Sequence, residues 1–119
     1  FLVFVAIGVF SVSLGYGFLP NLTMPFLYDI EVTNINLLNI LRAISGLYIA
    51  LVIFWIFGAY NPNLQLPALW SLTIFMTGIA LGRIASILID GLPSPIFIFY
   101  LFIEIISSLI GYALLKGKL

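Results

Sequence analysis

Four apolar runs dominate the chain: Phe1 to Leu19, Leu37 to Ala59, Ala68 to Ile89 and Ile96 to Leu115. Each is close to or above the roughly 20 helical residues that a hydrocarbon core requires. The segments between them are short. The sequence therefore reads as all-α, a polytopic membrane protein in which residues 1–119 form a single four-transmembrane-helix bundle. Composition points the same way, with 64% hydrophobic and 7% charged residues against roughly 45 to 50% apolar residues in soluble domains. The first run lacks a basic leader and a small-x-small cleavage site, so it reads as a membrane helix and not as a signal peptide.

The longest connection, Pro20 to Asn36, is too apolar for a plain solvated loop. Phe26, Leu27 and Ile30 would share one face of a short helix, which predicts an interfacial segment between helices one and two. Thr33 or Asn34 can cap the helix that follows. Asn21-Leu-Thr23 matches a glycosylation acceptor, a three-residue pattern that carries little weight. Trp55 to Tyr60 and Trp70 suit the headgroup boundary. Asn61 to Pro67 and Asp90 to Pro95 read as the turns that separate the last three helices. Small residues mark the expected helix contacts: Gly8, Ser11 and Gly15 on the first helix, with Ser13 and Gly17 on a neighbouring stripe. In a chain that crosses four times, Lys116 and Lys118 share a side with the N-terminus, and the positive-inside rule makes both termini cytoplasmic.

Cysteine and histidine are absent. Disulfides, thiolate nucleophiles, soft-metal sites and imidazole acid-base chemistry are thereby excluded. The formal net charge is zero, and no basic patch suits nucleic acid. Attention falls on the ionisable groups inside the apolar runs, Arg42, Arg83 and Glu104, with Asp90 at a helix end. Each isolated charge costs on the order of 2.5 to 3.5 kcal/mol at mid-bilayer, so these groups are expected to turn inward and pair. Counted from the outer ends of the runs, they lie roughly 7, 10 and 12 Å deep, within one leaflet.

Their faces match as well. Arg83, Ser86 and Asp90 fall on one stripe of the third helix beside Gly78 and Gly82. Glu104 shares a stripe with Ser107, Ser108 and Gly111, and Arg42 with Asn39, Ser45 and Gly46. The expected arrangement clamps Arg83 bidentately to Glu104, with Arg42 on the other side of the carboxylate and Asp90 at the rim.

The motifs Asn39-Ile-Leu-Arg42-Ala-Ile-Ser-Gly46-Leu-Tyr48, Pro67-Ala-Leu-Trp70, Gly82-Arg83 through Asp90-Gly91-Leu-Pro93, and Tyr100-x-x-x-Glu104 resemble the DUF4345 family of small four-helix membrane proteins. The resemblance covers nearly the whole chain and implies a fold, not an activity. The layout is similar to DoxX-like proteins, some of which are associated with quinone-linked or thiol-linked redox complexes; a chain without cysteine has no thiol to contribute.

Three functional classes remain. The first is a non-catalytic accessory or assembly subunit that packs against a larger membrane complex, with the bilayer and other membrane subunits as its partners. The second is a binding protein for a lipid, quinone or carotenoid-like molecule, whose polar end the Arg/Glu cluster holds. Asn39, Tyr48, Ser86, Tyr100 and Ser107 would then line its pocket, with Phe75 in the apolar part. The third, a proton-linked enzyme or transporter using Glu104, ranks last, because a carboxylate locked between arginines is a poor proton carrier. The expectation is therefore a protein with no catalytic residues, no metal and no obligatory cofactor.

Overall fold

The computed structural model describes residues 1–18, 20–28, 30 and 34–118. All of its regular elements are helices: α1 (Leu2–Gly17), α2 (Pro20–Tyr28), α3 (Ile35–Tyr60), α4 (Pro62–Asp90) and α5 (Pro95–Lys118). Three of them, α3, α4 and α5, are long and apolar enough to cross a membrane. α1 is apolar but only 16 residues long, or roughly 24 Å against a hydrocarbon core of about 30 Å. The chain divides into two units, residues 1–57 and 58–119.

Close approaches at glycine organise the first unit. A side chain at Gly17 would collide with the Cβ and Oγ of Ser45, so the C-terminal turn of α1 lies directly against α3. Ser45 Oγ uses this proximity to donate to the Ser13 carbonyl at 2.8 Å. Both serines are buried. The packing stripe of α1 is therefore Ser13 and Gly17. Gly8, on the other stripe, has open space around it, and Ser11 is exposed and returns its hydroxyl to the Ile7 carbonyl. Gly15 instead faces α2, where Thr23, Leu27 and Tyr28 stand against it. Tyr16 packs its ring on those of Tyr28 and Tyr48, each at 5.9 Å between centroids.

α2 buries Met24 and Tyr28 and leaves Phe26 87% exposed. Ile30, expected on the same face, falls beyond the helix end, where its N–H bonds the Met24 carbonyl. At the start of α3, Asn34 Oδ1 accepts from the Asn36 N–H at 2.7 Å, a side-chain N-cap. The alternative cap, Thr33, lies outside the described residues.

The second unit contains a correction to the turn expected over Asn61 to Pro67. Asn61 alone separates α3 from α4. Its side chain accepts from the Asn63 N–H and its carbonyl from the Leu64 N–H, both at 3.0 Å. Pro62 opens the helix, where a missing N–H costs nothing. Pro67, read from the sequence as a breaker, lies inside α4, past its first turn, and the helix continues through it with one amide donor fewer. Gly58 permits a close local approach at this junction, since a side chain there would meet Ala68 and the Leu64 carbonyl.

α4 and α5 form a hairpin. Leu69, Leu72, Thr73, Met76 and Ala80 are buried on α4; Glu104, Ser107 and Leu115 are buried on α5. These recur at three- and four-residue steps, the seam of two antiparallel helices. Thr73 meets Gly111, whose missing side chain lets the helices touch. Gly78 and Gly82 have open space around them and do not take part in that seam.

The difference between these glycines is testable. Gly111→Leu should destabilise the detergent-solubilised protein by about 1 to 3 kcal/mol through overpacking against Thr73. Gly78→Leu should stay within about 0.5 kcal/mol of the parent. Equal losses in a denaturant titration would contradict this packing.

Candidate functional site

Arg83 sits on the continuation of the buried α4 stripe, one turn beyond Ala80. Glu104 sits one turn before Ser107 on the facing stripe of α5. The helix register places them opposite each other, and Arg83 Nε donates to Glu104 Oε1 at 2.7 Å. Glu104 is buried and Arg83 half-buried. A charge-assisted contact of this length neutralises both groups where water is scarce.

Two aromatic residues complete the surroundings. Phe97 and Tyr100 lie on α5 at the spacing that continues the Glu104 stripe toward the helix start. The Arg83 guanidinium carbon stands 5.9 Å from the Phe97 ring centre and 5.6 Å from that of Tyr100. The rings themselves meet edge-to-face at 6.2 Å. Their π-faces attract the cation and occupy space beside the ion pair. Phe97 was not singled out from the sequence, although its position seven residues before Glu104 is the signal that could have identified it.

Below the pair runs a chain of hydroxyls. Thr73 Oγ1 donates to the Leu69 carbonyl at 2.8 Å, and Thr77 Oγ1 to the Thr73 carbonyl at 2.7 Å. Thr77 thereby spends its only proton. In its short bond with Ser108 Oγ, the serine is therefore the donor. This ladder fastens α4 to α5 through side chains that do not ionise.

Ser86 and Asp90 are exposed, and the serine hydroxyl donates to Asp90 Oδ2 at 3.0 Å. Ser107 is buried on the Glu104 stripe. Tyr48 belongs to the tyrosine cluster of the first unit. Arg42 is exposed and donates through Nη1 to the Gly17 carbonyl at 3.0 Å. That carbonyl is among those a helix leaves unpaired at its C-terminus, and a cation there also complements the helix dipole. Asn39, one turn earlier on α3, is exposed. Within the first unit Arg42 thus bonds a backbone carbonyl, and within the second Glu104 bonds Arg83. Among the described residues, no group of three or more Asp, Glu, His or Cys side chains is placed to hold a metal ion.

Removing one member of the Arg83–Glu104 pair should strand a buried charge. Arg83→Met and Glu104→Met are each expected to destabilise the protein by about 3 kcal/mol, with the double variant less destabilised than the sum. A double-mutant cycle in detergent or bicelles measures the coupling, and strictly additive losses would contradict direct pairing.

No curated protein and no solved structure matches the chain. A family model described as a domain of unknown function, DUF4345, matches residues 1–115, and the chain belongs to that family.

Proposed function

We propose that this protein is a non-catalytic membrane subunit that packs against a larger membrane complex and supports its assembly. The observation that carries this reading is the direction in which its side chains are used. The Arg83–Glu104 pair and the threonine–serine ladder are spent on holding α4 to α5. Large apolar side chains point outward along the same hairpin, among them Phe99, Phe102, Ile106 and Leu109 of α5. A polar interior consumed by packing and an apolar exterior suit a protein that acts through contact with lipid and neighbouring helices.

In this reading the chain crosses the bilayer four times. α1 supports a short span: its outward residues Phe4, Ile7, Phe10 and Leu14 are all large and apolar. α2 lies in the interface with Phe26 toward the acyl chains. The positive-inside rule then places both termini in the cytoplasm, with Lys116 near the end of α5 and the turn at Gly91 on the opposite side.

Two experiments test the proposal. Extraction of the native protein in mild detergent should yield a species heavier than the monomer, with a second chain in fixed proportion. Recovery solely as free monomer, or with a stoichiometric lipophilic small molecule in place of a protein, would contradict the subunit role. Because the sequence has no cysteine, Ser94→Cys and Gly117→Cys report topology against an empty background. A membrane-impermeant maleimide should label the Ser94 position on intact cells and the Gly117 position only after permeabilisation; the reverse pattern would overturn the orientation.

A further inference from the structure

We propose that the last two turns of α4 wall a water-filled notch in the membrane, with Arg83 as its floor, which admits water and small hydrophilic solutes to the ion pair from the tip of the hairpin. The two outward flanks of this stretch differ in chemistry. One carries Arg83, Ser86 and Asp90 at three- and four-residue steps. The other carries Leu81, Ala85, Leu88 and Ile89, whose three large side chains are 61 to 81% exposed. The end of α4 is thus amphipathic, with an oily flank suited to acyl chains and a polar flank that is not.

Depth gives the polar flank its meaning. The apolar run of α5 from Ile96 to Leu115 measures roughly 30 Å, the thickness of a hydrocarbon core, which sets the turn from Asp90 to Pro95 at the headgroups. Arg83 lies two turns before Asp90, roughly 10 Å down α4, and Glu104 lies roughly 12 Å down α5 from Ile96. Ser86 and Asp90 are exposed, and their hydrogen bond of 3.0 Å aligns both polar groups on the same flank. A carboxylate, a hydroxyl and a guanidinium therefore form an unbroken line from the headgroups into the hydrocarbon layer. Acyl chains cannot solvate such groups, and ionised side chains at this depth draw water in after them.

The notch ends at the ion pair. The Arg83 side chain is 23% exposed and that of Glu104 11%, so the guanidinium meets the water and the carboxylate faces the seam. Beneath them Ser107 is buried and Thr77 meets Ser108, which closes the hairpin to solvent. This inference is independent of the protein partner proposed above.

The test is the reaction of single-cysteine variants with a charged, membrane-impermeant methanethiosulfonate in membranes opened on both sides, so that the orientation of the chain does not enter. Only a hydrated thiol ionises readily, and Ser86→Cys should react at least about tenfold faster than Ala85→Cys or Leu88→Cys, the factor for one unit of thiol pKa. Leu88 is nearer the tip than Ser86, so accessibility governed by depth alone predicts the opposite order. An inert Ser86→Cys, or a Leu88→Cys that reacts as fast, would overturn the notch. If Ser86→Cys fails to fold, water-edited solid-state NMR of the wild type in bilayers decides: the Arg83 guanidinium signal should build up from water faster than the Ala85 methyl, and equal build-up would overturn the proposal.

Discussion

A guanidinium bonded to a carboxylate inside an apolar helical hairpin constrains everything around it. Neither Arg83 nor Glu104 is tolerable alone among acyl chains, so the two helices that carry them must align with their charged turns opposite each other. That alignment sets the register of α4 on α5 and, with it, the meeting of Thr73 with Gly111 and of Thr77 with Ser108. The aromatic faces of Phe97 and Tyr100 then occupy the side of the cation. Apolar packing alone discriminates poorly between registers in lipid, because one oily contact resembles another. A buried ion pair supplies the discrimination, as polar groups at single positions do in coiled coils.

The first unit reaches a similar end by different means. Its specific contacts are directed to backbone carbonyls: Ser45 to Ser13 and Arg42 to Gly17. In a medium without water, the last carbonyls of a helix need partners from another segment. Arg42 serves one of them, and the absence of a side chain at Gly17 brings Ser45 close enough to reach the turn before it. The two arginines in the apolar helices therefore do different work. Arg83 neutralises an acid, whereas Arg42 caps the end of a helix.

The three long helices were legible because runs of apolar residues of that length have few other uses. The start of α4 was not. Pro67 carries the sequence mark of a breaker, and only the Asn61 cap with Pro62 behind it shows that the helix has already begun. Glu104 and Arg83 drew attention because charges in apolar helices need partners. The assignment of Arg42 to the Gly17 carbonyl was beyond the sequence, since helix spacing reports which residues share a face and not which backbone groups on another helix lie within reach. Glycines were legible in part: Gly15, Gly17 and Gly111, read as small-residue positions, do meet another helix, whereas Gly8, Gly78 and Gly82 have open space around them, because close approach depends on what stands opposite.

The central claim is that the Arg83–Glu104 pair acts as a fixed, self-neutralising clamp on the α4–α5 hairpin. Exchanging the charges tests it most directly. Arg83→Glu and Glu104→Arg, made singly and then together, can be followed by the amount of folded protein accumulating in the membrane. A clamp predicts that each single variant is lost and that the exchanged pair recovers a large part of the wild-type level. An exchanged pair no better than the single variants would show that the two positions do not act on each other, and the hairpin would need another explanation.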